Sequence, residues 1–231
     1  MTARRDKARA AISTIARALE GERLPVMFVG GIATALFPIP DGIDVRPTDD
    51  VDCVVDLAST ADYYAFVSRL RARGFHECTD EGAPLCRLVY QGIRVDFVAS
   101  ADTGIGPSNR WYRSAIAAAN VHALEDGLEV RAIAPIFFVA TKLEAFHGRG
   151  RGDYLASHDI EDVLTVLAGL PTLRDEIANG TSAVASAVRD ELIALHAKET
   201  FRDAVPAHYE GDAAGQVRAD EVLAWLASLR R

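Results

Sequence analysis

Between Arg46 and Leu57 the chain reads RPTDDVDCVVDL, which sets four aspartates within eight residues of an otherwise apolar run. The run Val51, Cys53, Val54, Val55 predicts a strand, and strands are depleted in aspartate. Side chains at i and i+2 of a strand share a face, so Asp50 and Asp52 stand side by side. Two carboxylates so placed repel each other unless a cation lies between them. A hard divalent ion such as magnesium takes oxygen ligands of this kind. The alternative is a solvated strand end with the aspartates as turn residues. Asp49 points the opposite way and is expected at the surface. Asp56 keeps the alternation at the far end of the strand and is read as structural.

Upstream, Val26-Met27-Phe28-Val29 predicts a strand that breaks at Gly30-Gly31 and turns helical. Unpaired N–H groups at a helix start can hold phosphate oxygens, and glycine lets the phosphate approach. A plain tight turn accounts for the same pair. Downstream, Asp96 interrupts the apolar pattern of Ile93, Val95, Phe97 and Val98. An acid there is costly to bury without a partner. Either Arg94 or Arg87 pairs with it, or its strand neighbours that of Asp50 and Asp52 and three carboxylates converge. Three such groups can hold two magnesium ions, with Asp96 placed to act as general base toward an incoming hydroxyl.

Helical spacing runs from about 5 to 19 and from 60 to 73, with Gly74 as the stop of the second helix. Strands are predicted at 84–90 and 93–99, joined by the hairpin turn Gln91-Gly92. A helix follows over 109–118, then one or two short strands over 121–133. Composition shifts at Pro135, a residue suited to a first helical turn. From there the pattern is helical, at 135–147, 158–169, 173–178, 181–199 and 218–230. An α/β part over 1–133 is thus expected to precede a helical part over 134–231.

The chain has 231 residues, of which 49% are hydrophobic, enough to form a real core. Its net charge of −8 argues against a protein that coats nucleic acid generally. No apolar run approaches the roughly 20 residues that span a bilayer. The N-terminal residues are charged and lack the apolar core of a secretory signal. The three cysteines show no metal-binding spacing. A cytoplasmic location without a membrane partner is the expectation.

In the helical part, Lys142 has Phe138, Ala145 and Phe146 as helical neighbours. It either snorkels or points into a cleft. Asp159 and Asp162 follow Ser157, a plausible N-cap, where acids complement the helix dipole. Arg149 and Arg151 lie in a glycine-rich stretch, read either as a solvated linker or as a phosphate clamp or RNA backbone contact.

Taken together, Gly30-Gly31, Arg46-x-Thr48-x-Asp50-x-Asp52 and Asp96 resemble the nucleotidyltransferase superfamily related to DNA polymerase β. The segment Ala134-Pro135-x-x-Phe138-x-x-x-Lys142-Leu143-x-Ala145-Phe146, with His158-Asp159-Ile160-x-Asp162-Val163-Leu164 after it, resembles the AbiEii/MenT-type toxin branch. The resemblance covers about residues 25–168. It implies an α/β (α+β) fold, a mixed β-sheet flanked by helices and followed by a C-terminal helical bundle. It implies transfer of NMP from an NTP such as ATP to a hydroxyl, with two Mg2+ ions held by Asp50, Asp52 and Asp96. Gly30, Gly31 and Lys142 would contact the triphosphate, and Arg46 and Thr48 belong to the acidic motif. An essential acid falls to Asp159, with Asp162 second. By the same resemblance the acceptor is RNA, the 3′ end of tRNA, and the role is that of a toxin with a cognate antitoxin protein. Transfer to a small molecule such as an aminoglycoside-type antibiotic, or to a protein, is the enzymatic alternative. A non-catalytic binding protein is the other. Many members have Gly-Ser where this chain has Gly30-Gly31, so a phosphate-binding hydroxyl is missing and Thr34 is the candidate substitute.

Overall fold

The computed structural model describes residues 3–125, 127–150 and 152–230. The chain divides into one unit made of Met1–Phe37 and Pro47–Ala134, and another made of Pro38–Arg46 and Pro135–Arg231.

In the first unit the order is α1 (Ala3–Ala18), β1 (Val26–Val29), a 3-10 helix (Gly31–Leu36), β2 (Asp50–Val55), α2 (Thr60–Ala72), β3 (His76–Glu77), β4 (Arg87–Tyr90), β5 (Ile93–Ala99), α3 (Tyr112–Ala117), β6 (Asn120–Ala123) and β7 (Glu129–Ala132). The strands form one mixed sheet in the order β3-β4-β5-β2-β1-β7-β6. β2 runs antiparallel to β1 and parallel to β5. The hairpin strand expected from residue 84 begins only at Arg87. Its N–H donates to the Pro84 carbonyl at 3.0 Å, which closes a turn over the residues between. The turn Gln91-Gly92 forms with φ of 48° and 79°, the left-handed pair that a two-residue hairpin of native twist requires.

Alternation along the strands sorts the two faces. Phe28, Val51, Cys53, Val55, Leu88, Val95 and Phe97 turn one way and bury against Ile12 and Ile15 of α1 and Tyr63, Phe66 and Leu70 of α2. Asp50, Asp52, Arg94 and Asp96 therefore turn the other way, and a one-residue slip in register would bury all four in the core.

In the second unit, α4 (Pro135–Arg149), α5 (His158–Gly169), α6 (Pro171–Asn179), α7 (Ala183–His196), α8 (Glu199–Ala204), a 3-10 helix (Val205–His208) and α9 (Ala213–Ser228) follow in order. The helix expected over 181–199 is two, broken where Lys198 adopts an extended backbone. α9 starts earlier than its apolar pattern suggests, because Asp212 caps it by accepting from the N–H of Gly215. The Pro38–Arg46 segment joins this unit through specific contacts. Ile39 lies against Gly169, Arg218 donates to the Gly42 carbonyl at 2.6 Å, and Arg46 Nε lies 3.4 Å from Asp162 Oδ1. Among the described residues no helix is long and apolar enough to cross a membrane.

Candidate active site

The acid-bearing strands are neighbours, and Asp52 sits directly opposite Asp96 in their parallel register. Residues opposed across a ladder share a face, so Asp50, Asp52 and Asp96 are brought onto one patch of the sheet. β1 flanks β2 on the other side with Val29 opposite Asp52, which brings the glycine turn to the acids. Gly30 has φ 63° and ψ −165°, a backbone region open essentially to glycine alone. A Cβ there would fall 2.8 Å from Asp52 Cγ and closer still to its Oδ2. Gly30 thus serves the carboxylate directly, by leaving it room.

The expected helix after the glycines is a 3-10 helix of six residues, buried throughout. Thr34 does not extend its hydroxyl as a donor out of the turn, because that group donates to the Gly31 carbonyl at 2.6 Å. The Thr48 hydroxyl donates to the Asp50 carbonyl at 3.2 Å and fixes the start of β2. Asp49 is exposed and pairs with Lys7, and Asp56 accepts from the Ser100 hydroxyl at 2.8 Å.

A cation lies among the acids, and it is arginine. Arg87 of β4 faces Asp96 across the hairpin. Its Nε donates to Asp96 Oδ1 at 2.7 Å, and its second nitrogen donates to both Asp96 Oδ2 and Asp50 Oδ2 at 2.8 Å. Arg94 donates to the remaining Asp50 oxygen, Oδ1, at 2.6 Å. The hydrogen bond to Asp96 holds the Arg87 guanidinium charged well above even its usual high range. Both arginines matched Asp96 as candidate partners in the sequence. The sequence points to neither as a partner of Asp50, whose contacts depend on long-range register.

The donor set suits a divalent ion: three carboxylates on one face, and no sulfur or imidazole among them. With Arg87 between Asp50 and Asp96, no cluster of three or more acid, histidine or cysteine side chains among the described residues stands ready to hold one.

A second charged cluster lies within the second unit. Lys142 is 8% exposed, so it does not snorkel to the surface. Its ammonium lies 3.2 Å from Asp159 Oδ1 and 2.6 Å from Asp162 Oδ2. Arg149 belongs to the last turn of α4, beyond the expected helix end, and donates to both Asp159 oxygens at 2.8 and 2.9 Å. Burial alone would raise the Asp159 pKa, but hydrogen bonds from Arg149 and the charge of Lys142 outweigh it and hold the group low. Ser157 caps α5 by accepting from the Ile160 N–H at 3.3 Å. Arg151 lies outside the described residues.

No family model and no curated protein sequence matches this chain. Among solved structures it is similar to the antibiotic-resistance factor ANT(2″)-Ia in solution, with a TM-score of 0.47 and 17% identity, over 83% of this chain and 96% of that one. It is also similar to the crystal structure of ANT(2″)-Ia in complex with adenylyl-2″-tobramycin, with a TM-score of 0.48 and 16% identity, over 80% and 98% of the two chains.

Proposed function

We propose that this protein is a metal-dependent nucleotidyltransferase that moves NMP from an NTP to a hydroxyl and releases pyrophosphate. The observation that carries the reading is the face shared by Asp50, Asp52 and Asp96, with Gly30 set against Asp52. Like charges held together on neighbouring strands favour a site that works with a cation. Asp50, Asp52 and Asp96 would hold Mg2+, which when bound neutralises phosphate charge and lowers the pKa of a coordinated hydroxyl. Asp96 is assigned to receive the acceptor's proton. Gly30 keeps a side chain away from Asp52, and to Gly31 we assign the phosphate contact that the family resemblance implies. To Lys142 and Asp159 we assign the phosphate contact and accompanying acid that the family resemblance implies. Their mutual hydrogen bond supports an ammonium fixed in position.

The acceptor favoured is a small hydroxyl compound, and a cationic one, because a chain of net charge −8 attracts cations and repels polyanions. An aminoglycoside is a probe of that chemistry. The tRNA 3′ end, with a toxin role and an antitoxin partner, is the second reading, supported by the Ala134-to-Leu164 motif.

One assay separates them. The protein is incubated with Mg2+, each α-labelled NTP in turn, and either an aminoglycoside or total tRNA, beside an Asp50→Ala/Asp52→Ala control. Label moving to the aminoglycoside only with intact acids is the expected result. Label moving to tRNA selects the second reading. Failure to bind any NTP with Mg2+ overturns the enzyme.

A further inference from the structure

Arg87 does more here than neutralise one aspartate. It grips both oxygens of Asp96 and one of Asp50, so a single guanidinium spans two of the three carboxylates assigned to the metal. The hairpin that presents it is held by the Gln91-Gly92 turn, in register with Asp96. Arg94 competes only for Asp50 and is 41% exposed, against 18% for Arg87. Arg94 can withdraw into water at little cost, whereas Arg87 is the better fixed of the two.

We propose that Arg87 is the resident counter-cation of this site, and that a divalent ion must displace it from Asp50 and Asp96 before those carboxylates can serve as ligands. The inference rests on the metal reading given above. Without the ion, Arg87 relieves the repulsion between the acids of β2 and β5. Its hold also weakens metal binding, because an ion sees a competent site only in the fraction of molecules where Arg87 has let go. Once released, the guanidinium is a fixed-charge, two-pronged donor suited to phosphate oxygens. Divalent ion and anionic nucleotide would then bind cooperatively, the ion freeing the group that receives the nucleotide.

The test is a Mn2+ titration of the full chain, with the free ion followed by paramagnetic resonance, without nucleotide. Arg87→Gln should bind Mn2+ at least about tenfold more tightly than the native chain, the factor implied by losing one charge-assisted competitor. Arg94→Gln should change affinity less, and Arg87→Lys should fall between because it keeps charge but loses the two-pronged grip. Thermal melting guards against a folding artefact: Arg87→Gln should melt lower than the native chain without metal and gain more from Mn2+. Equal or weaker binding by a folded Arg87→Gln, while the native chain binds and Asp50→Asn/Asp52→Asn does not, overturns the role of Arg87 alone. If native chain and Arg87→Gln bind no Mn2+, or the double variant binds as well as the native chain, the metal reading itself falls and this inference with it.

Discussion

Gly30 and Asp52 occupy a space that has room for only one side chain. The glycine's backbone sits at φ 63° and ψ −165°, and any Cβ it carried would drive into the carboxylate. Two costs therefore coincide at this position. Gly30→Ala should lower stability by about 1–3 kcal/mol from backbone strain, with the clash added. On the proposed function it should also lose nucleotidyl transfer, because Asp52 must move. Urea unfolding and the label-transfer assay measure the two effects. Native stability in the alanine variant would contradict the geometry.

Asp96 and Asp50 can be separated by isosteric change. Asp96→Asn keeps volume but removes the charge that Arg87 grips at 2.7 and 2.8 Å. If Asp96 is the general base proposed above, whose loss costs roughly 10²–10⁴-fold in rate, transfer should fall by at least about a hundredfold. Stability should drop by about 1–3 kcal/mol, the scale of a charge-assisted bond left without its partner. Asp50→Asn should also silence transfer, but with a smaller loss of stability, since Arg87 keeps its two bonds to Asp96. Circular dichroism melts beside initial rates decide it. Equal stability losses in both variants would mean that Arg87 does not prefer Asp96.

Much of this is legible in the sequence, and the reason is local. Strand alternation alone assigns Asp50 and Asp52 to one face and Val51 and Cys53 to the other. Counting back equally from Gln91-Gly92 pairs Arg87 with Asp96, so that contact lay within reach of the sequence. The pairing of Asp52 with Asp96 did not, because parallel strands are joined by a long crossover whose register no local pattern sets. The same holds for Arg46 with Asp162 and for Lys142 with its two aspartates. Helical periodicity places Lys142 on an apolar face, but only tertiary packing of α4 on α5 reveals buried acids waiting there. The break at Lys198 was hidden for a related reason: its neighbours have helical propensity on both sides.

Lys142 should prove essential to the helical unit whatever its part in chemistry. Lys142→Met would leave Asp162, itself 3% exposed, without its nearest cation at 2.6 Å. Breaking one side of a buried pair costs about 3–5 kcal/mol, and urea unfolding should register a loss on that scale. Removing the second partner too, in Lys142→Met/Asp162→Leu, should recover part of it, since the double variant no longer strands that charge. Additive losses in the double variant would show that the two residues do not interact.

The acid limb of stability follows from Asp159. Its pKa is lowered in the folded chain, with burial opposing and Arg149 and Lys142 prevailing. A carboxyl depressed below its unfolded value, about 4, contributes stability that is fully present above that value. The contribution is lost as pH falls through the lower folded pKa, because the unfolded chain then binds the proton more readily. The Asp159 share of stability should therefore hold steady from neutral pH down to about 5 and decline below about 4, while the lowered pKa values of His122 and His196 give a separate loss that begins below about 6.5. Arg149→Gln deletes the strongest of the forces lowering the group while burial still raises it. The folded pKa then rises toward the unfolded one, with Lys142 still lowering it, so Asp159 contributes less above about pH 4 and the native advantage over the variant shrinks as pH falls. A native-minus-variant difference that stayed constant from pH 7 to about pH 2 would mean that Arg149 does not act through the Asp159 charge.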